Sequence, residues 1–392
     1  MGGLSGHMKH LYEATNLSVL EIENLMYKIL ASQVTDLTEK IDGYNIHVGY
    51  DFEKQELRFF RNSKDILSKG MSVSDMKERW EDNPKTLKVY LSAADILKKY
   101  IEDHWIYLLS IQENYMITLN VECVYKMTNI MPYTEVGVYL HNIWDWDKRT
   151  GRCESITDIP DGLKKNIDKY RGVYICPTIK ISSRFSEKEY RAITGTYKEE
   201  FRDIIRTTVG TDRVDHTDLV EYYLKKFKIY CESTELFENI PENIIKIVFD
   251  RIFFDIKTVN LRELVKKFPG KENDFRNWLE NDSQKVKESC MYDLKLFFTK
   301  FANFVLSNAV GYVNYENRYI ISDLLYRTYK QKSESLGGCT DPKKKEVVES
   351  NINLIESTGT QINALEGVVF KYKDDLYKLT GTFAPLNQLL WM

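Results

Sequence analysis

Residues 38–45 read Thr-Glu-Lys-Ile-Asp-Gly-Tyr-Asn. A lysine amine attacks phosphorus only when it is neutral, and partial burial and nearby cations favour that state. Asp42 follows Lys40 at i+2, so on extended backbone the two side chains share a face. Gly43 lets the main chain approach a ligand closely. A bare Lys-x-Asp-Gly reads first as a surface ion pair of small energetic worth. Its interest comes from groups elsewhere in the chain. Arg61 ends a strand-like run, Phe59-Phe60-Arg61-Asn62-Ser63. Glu122 interrupts an apolar strand pattern, where a carboxylate needs a partner such as a ligand hydroxyl or a metal ion. Glu366 and Lys371 bound a second apolar run, and Lys378 follows it.

The elements that must position these groups fall into two textures. Residues 46–52, 56–62, 115–125, 135–147 and 172–182 are rich in Val, Ile, Tyr and Phe and read as strands. The Trp-Asp-Trp-Asp run at 144–147 fits a strand with aromatics inward and acids outward. Helical periodicity marks 18–32 and, after Pro84, 85–103. From about 186 to 358 apolar residues recur at three- and four-residue intervals. Residues 335–345 read as a turn or linker with a basic tail. Strand texture then returns over 367–381, with Lys373-Asp374-Asp375-Leu376 as its turn. The expectation is an α+β chain in which both ends, 9–183 and 359–392, build one mixed domain and 184–358 form a helical insertion.

In this order the segments resemble the covalent nucleotidyltransferase superfamily of ATP-dependent polynucleotide ligases and capping enzymes. Residues 38–45 are most similar to the nucleophile motif of phage and editing-type RNA ligases, matching at Thr38, Glu39, Lys40, Gly43 and Asn45. The resemblance covers roughly 30–150 and 360–390. It implies a ligase adenylation-type domain of antiparallel sheets with helices, in which Lys40 takes AMP from ATP. It places Lys371 and Lys378 on the α-phosphate and Arg61 and Glu122 on the ribose. It makes Glu366 the ligand of Mg²⁺ and Glu39 the acceptor for the adenine amino group. Asp42, Gly43 and Asn45 belong to the nucleotide pocket. His141, then Tyr139, is the expected ring against adenine. The implied activity is ATP-dependent joining of nucleic-acid ends, RNA ahead of DNA. The alternative is a ligase-fold nucleotide- or nucleic-acid-binding phage protein that has lost strand joining. The last motif departs from the family pattern, because Lys378-Leu379-Thr380 lacks a second lysine. The two halves of the pattern are also set unusually far apart by 184–358.

Composition narrows the classes. The 392 residues carry a net charge of -3, so any polynucleotide contact has to be local. Basic stretches such as 223–230 and 264–271 interleave aromatics with lysine and could hold RNA, or could pack their rings inward. No run approaches the roughly 18 apolar residues of a membrane span, so no membrane partner is expected. Six cysteines without metal spacing read as reduced thiols of a cytoplasmic protein, the host cytoplasm if phage-encoded. Residues 1–8 look like a cloning remnant, with Met8 as a start. No Walker, Rossmann or His-Glu-x-x-His pattern is present.

Overall fold

The structure, a computed structural model, describes residues 8–34, 37–104, 115–125, 130–133, 136–147, 149–150, 152–157, 159–181, 185–359, 362–373 and 375–392. The fold is mixed α+β. Its strands are β1 (Lys9–His10), β2 (Thr38–Lys40), β3 (Tyr44–Asp51), β4 (Glu56–Phe60), β5 (Tyr115–Val124), β6 (Gly137–Asp147), β7 (Arg152–Thr157), β8 (Val173–Ile175), β9 (Lys180–Ile181), β10 (Ala309–Val310), β11 (Gly367–Tyr372) and β12 (Asp375–Leu379). One sheet runs β4-β3-β5-β6-β7, with β8 joining β6 in parallel. A second runs β1-β12-β11-β2 and so unites both ends of the chain. β9 and β10 form a small pair.

Local sequence explains most boundaries. The helix Val19–Leu30 starts at Ser18, whose hydroxyl caps the Glu21 amide while Glu21 reaches back to the Ser18 amide. Val19, Ile22, Leu25, Met26, Ile29 and Leu30 give it a buried stripe. The helix Pro84–His104 opens on proline, where a missing N–H costs least. The single strand expected over 172–182 is instead two pieces, β8 and β9. Pro177 lies between them and cannot donate to a ladder. Lys373, at φ 54°, reverses the chain between β11 and β12.

Two large cores divide the apolar residues. One holds Ile46, Val48, Leu119 and Val121 of the larger sheet against Val89, Ala93 and Leu97 of helix Pro84–His104. The other runs without a break from Leu25 through Phe201, Phe297 and Phe301 to Val368 and Leu379. The regular elements between 187 and 357 are helices apart from β10, and they share this core with the terminal sheet. Tyr222, Tyr223 and Phe227 are buried in it, so the aromatics of 223–230 pack inward there. No helix among the described residues is long and apolar enough to cross a membrane.

Candidate active site at the junction of two sheets

β2 belongs to the terminal sheet and β3 to the larger one. Residues 41–43 carry the chain between them. A second link runs parallel to it: β8 leaves the larger sheet, and Pro177 O then accepts the Glu39 amide at 2.9 Å while Ile179 N donates to Leu37 O at 2.8 Å. β2 is thus held between β11 and residues 177–179.

Lys40 stands directly opposite Gly367 on β11. The neighbouring Glu366 meets it, and Glu366 Oε1 pairs with Lys40 Nζ although 326 residues separate the two. A side chain at 367 would not fit, since a Cβ there would lie 2.3 Å from Leu379 O. Lys378 pairs with Val369, which also faces Thr38. The twofold alternation of strands therefore puts Lys378 on the same sheet face as Lys40. Burial and the Lys40 charge hold its amine below the ordinary lysine range.

Asp42 bends away to hold the segment at 130–133. Its carboxylate accepts the amides of Ile130 and Met131 at 2.7 and 2.8 Å, and its own amide donates to Tyr133 Oη at 2.9 Å. Gly43 is required by packing: a Cβ would lie 2.7 Å from Cys123 O and 2.9 Å from Glu122 Cγ. Asn45 pairs across the ladder with Glu122, and its amide nitrogen donates to Asn120 Oδ1 at 2.8 Å and Glu122 Oε2 at 3.3 Å. His141 Nε2 lies 3.6 Å from the same Glu122 oxygen. The β5–β6 register passes from Asn120–Asn142 to Val121–Leu140, so His141 is the extra residue of a bulge. Bulges re-aim side chains in this way.

The electrostatics differ from the expectation of a cation-lowered amine. Burial pulls the Lys40 amine down, but Glu366, Glu122 and Asp42 outweigh it, and the amine ends above its ordinary value. The physical reason is the count: three carboxylates act on one ammonium. Glu366 pays for the crowding, its carboxyl raised to about 8 by burial and by Asp42 and Glu122, against the pull of Lys40. Asp42 is raised as well, mainly by burial. Glu366 Oε2 is buried without a hydrogen-bond partner.

Three expected residues stand apart from this cluster. Glu39 alternates to the opposite face of β2, where its carboxylate is 1% exposed and accepts the Val313 amide at 2.8 Å. Burial raises it to about 7, although that amide works the other way. Lys371 is exposed at the hairpin end, four residues from Gly367, or about 13 Å of strand. Arg61 is exposed just past β4, where its charge acts on Tyr90. Tyr139 is buried and stacks on Tyr174 at 5.2 Å. The sequence reading missed Asn120 and Tyr133. Period-two alternation along β5 from Glu122 would have found Asn120, whereas nothing local marks Tyr133 or the Val313 amide.

Among the described residues no three His, Cys, Asp or Glu side chains converge as a metal cage. Mg²⁺ needs no such cage, since one or two carboxylates with substrate phosphates and water suffice. The unpartnered Oε2 of Glu366, among mutually repelling carboxylates, is a donor of the right kind. Comparison with known proteins adds no relative: no family model, curated protein or solved structure matches this chain.

Proposed function

We propose that this chain is an ATP-dependent adenylyltransferase of the polynucleotide-ligase type, with Lys40 as the nucleophile and RNA ends as the acceptor. The observation that carries the reading is the meeting of Lys40 and Glu366, brought from opposite ends of the chain onto adjacent strands. In the proposed step the Lys40 ammonium gives up a proton, with the bonded Glu366 Oε1 as acceptor. The free pair then forms an Nζ–Pα bond while the bond from Pα to the bridging oxygen breaks and pyrophosphate leaves. Lys378, on the same face, offsets charge on the phosphate oxygens. Glu122, held by Asn45 and close to His141, would accept from a ribose hydroxyl. Glu366 Oε2 would hold Mg²⁺, which when bound supplies positive charge against both the carboxylates and the phosphate. Arg61, Lys371 and the Glu39 carboxylate take no part as they stand.

Incubation with α-³²P-labelled ATP and Mg²⁺ is expected to give an acid-labile protein label, absent from Lys40→Ala. A folded wild-type protein that stays unlabelled would sink the reading. The resting charge on Lys40 and the lone lysine in 378–380 favour a second reading, a nucleotide- or nucleic-acid-binding protein without strand joining. ATP binding with no label and no sealing of nicked RNA would select it.

A further inference from the structure

The loop after β10 and the first turn of helix Arg318–Leu336 present an unusual surface. Tyr319 is 76% exposed, Ile320 72% and Leu324 50%. The Arg318 guanidinium lies 4.2 Å from the Tyr315 ring centre and 4.5 Å from that of Tyr319. One cation thus lies close to two rings, and aromatic faces beside cations are what nucleic-acid bases settle on without sequence preference. Local charge has the matching sign. The loop and helix carry Arg318, Arg327, Lys330 and Lys332 against Glu316, Asp323 and Glu334, and Asp323 is already paired with Arg327 at 2.8 Å. The whole chain, by contrast, is net negative. No side chain caps this helix's N-terminus, and such an end favours phosphate. The loop is also tied to the candidate site, because the Val313 amide is the donor to Glu39, the residue before Lys40.

We propose that Arg318, Tyr319 and Ile320 form a landing for single-stranded polynucleotide. The inference deepens the reading of Lys40 as nucleophile and rests on it for the role of the bound strand. Glu39 and Lys40 point to opposite faces of β2, so the landing anchors the strand remotely and does not hold its reacting end.

The test uses a 5′-fluorescein oligouridylate and polarisation. Wild type and Lys40→Ala are expected to bind alike, with affinity falling as salt rises. The double variant Tyr319→Ala/Ile320→Ala should bind roughly tenfold more weakly. Both positions are exposed, and a thermal melt matching wild type verifies the fold. Arg318→Gln is the second variant and should weaken binding and flatten the salt dependence. ATP labelling of the double variant should equal that of wild type. Binding unchanged in both variants overturns the landing. A concentration-dependent wild-type dimer that the double variant abolishes also overturns it and assigns the surface to a second copy. Tyr319-dependent binding by a protein that never labels with ATP leaves the landing standing and removes the Lys40 reading. Labelling with Tyr319-independent binding does the reverse.

Discussion

Two buried glutamates, each paired with a cation from a distant segment, show how differently one kind of contact can be used. Glu23, on the helix Val19–Leu30, meets Arg202 from the helix Glu187–Val209. Arg202 Nε and Nη2 reach its two oxygens at 2.6 and 3.1 Å, and Arg202 also pairs with Asp215 at 2.9 Å. The planar fork satisfies the carboxylate completely. Glu366 meets Lys40, a point charge that engages only one oxygen, and the other is left buried and unpartnered. Asp42 and Glu122 then add repulsion at Glu366. A buried polar atom without a partner costs on the order of 1–3 kcal/mol. A fold that needed only to join its two ends at this point would have done better with the arginine fork. The lysine and the spare oxygen make sense as a place kept for a ligand.

The sharpest way to break that contrast is to disturb each pair in turn. Glu366→Gln is expected to lower ATP labelling by roughly 10²–10³-fold, the range seen when one preorganised charge-stabilising group is removed. Its stability should change little, because the amide keeps the shape of the carboxyl and an oxygen for Lys40 while removing a negative charge that burial, Asp42 and Glu122 disfavour. A Glu366→Gln protein that labels normally would show the spare oxygen to be idle. The next effect is on stability alone. Arg202→Met strands the Glu23 carboxylate in the seam and should cost about 3–5 kcal/mol, read from urea unfolding. Label per folded molecule should hold. Loss of label without loss of stability would mean that the seam and the junction are coupled.

These two sites were unequally legible in the sequence. Glu122 announces itself by breaking an apolar strand pattern, Glu366 by bounding one, and Lys40 by its spacing to Asp42 and Gly43, and strand alternation fixes which neighbours share their face. Helix boundaries were equally open, through Ser18 with Glu21 and through Pro84. What local pattern cannot carry is a partner chosen by long-range packing. The Arg202 fork lies 179 residues from Glu23, and the Val313 amide 274 residues from Glu39. The shared core is another such case. Residues 184–358 read as a body apart, yet Phe201 and Phe297 pack in one core with Val368, which only tertiary structure reveals. The Lys40 charge state was misjudged for a related reason. Cations were counted along the chain, whereas the fold delivers the carboxylates.

Glu39 is intermediate between the two glutamates, fully buried but bonded to a single backbone amide. In the folded chain it keeps its proton up to about pH 7, against 4.5 for the ordinary carboxyl. Between those values the folded state holds more protons than the unfolded one, so this group's contribution to stability declines as pH rises from 4.5 to 7 and is flat beyond. Glu39→Gln removes the decline. The stability difference between variant and wild type, measured by urea unfolding at pH 5 and pH 7.5, should move in the variant's favour by up to about 3 kcal/mol. A difference independent of pH would mean that the Val313 amide keeps Glu39 ionised throughout.

The smallest expected effects set resemblance against geometry most directly. By motif, Arg61 and Lys371 belong with Lys40. By position they are exposed cations, Arg61 past the end of β4 and Lys371 at the tip of the β11–β12 hairpin. An exposed cation in high dielectric contributes little, and substitutions at such sites usually stay within about 0.5 kcal/mol. Arg61→Ala and Lys371→Ala should therefore each alter ATP labelling by no more than about threefold, while Lys378→Ala, on the Lys40 face, lowers it by tenfold or more. Labelling rates at saturating ATP compare the three. If Lys371→Ala were as damaging as Lys378→Ala, the hairpin tip would have to fold over the nucleotide during the reaction, and the distinction drawn here between junction and surface cations would fail.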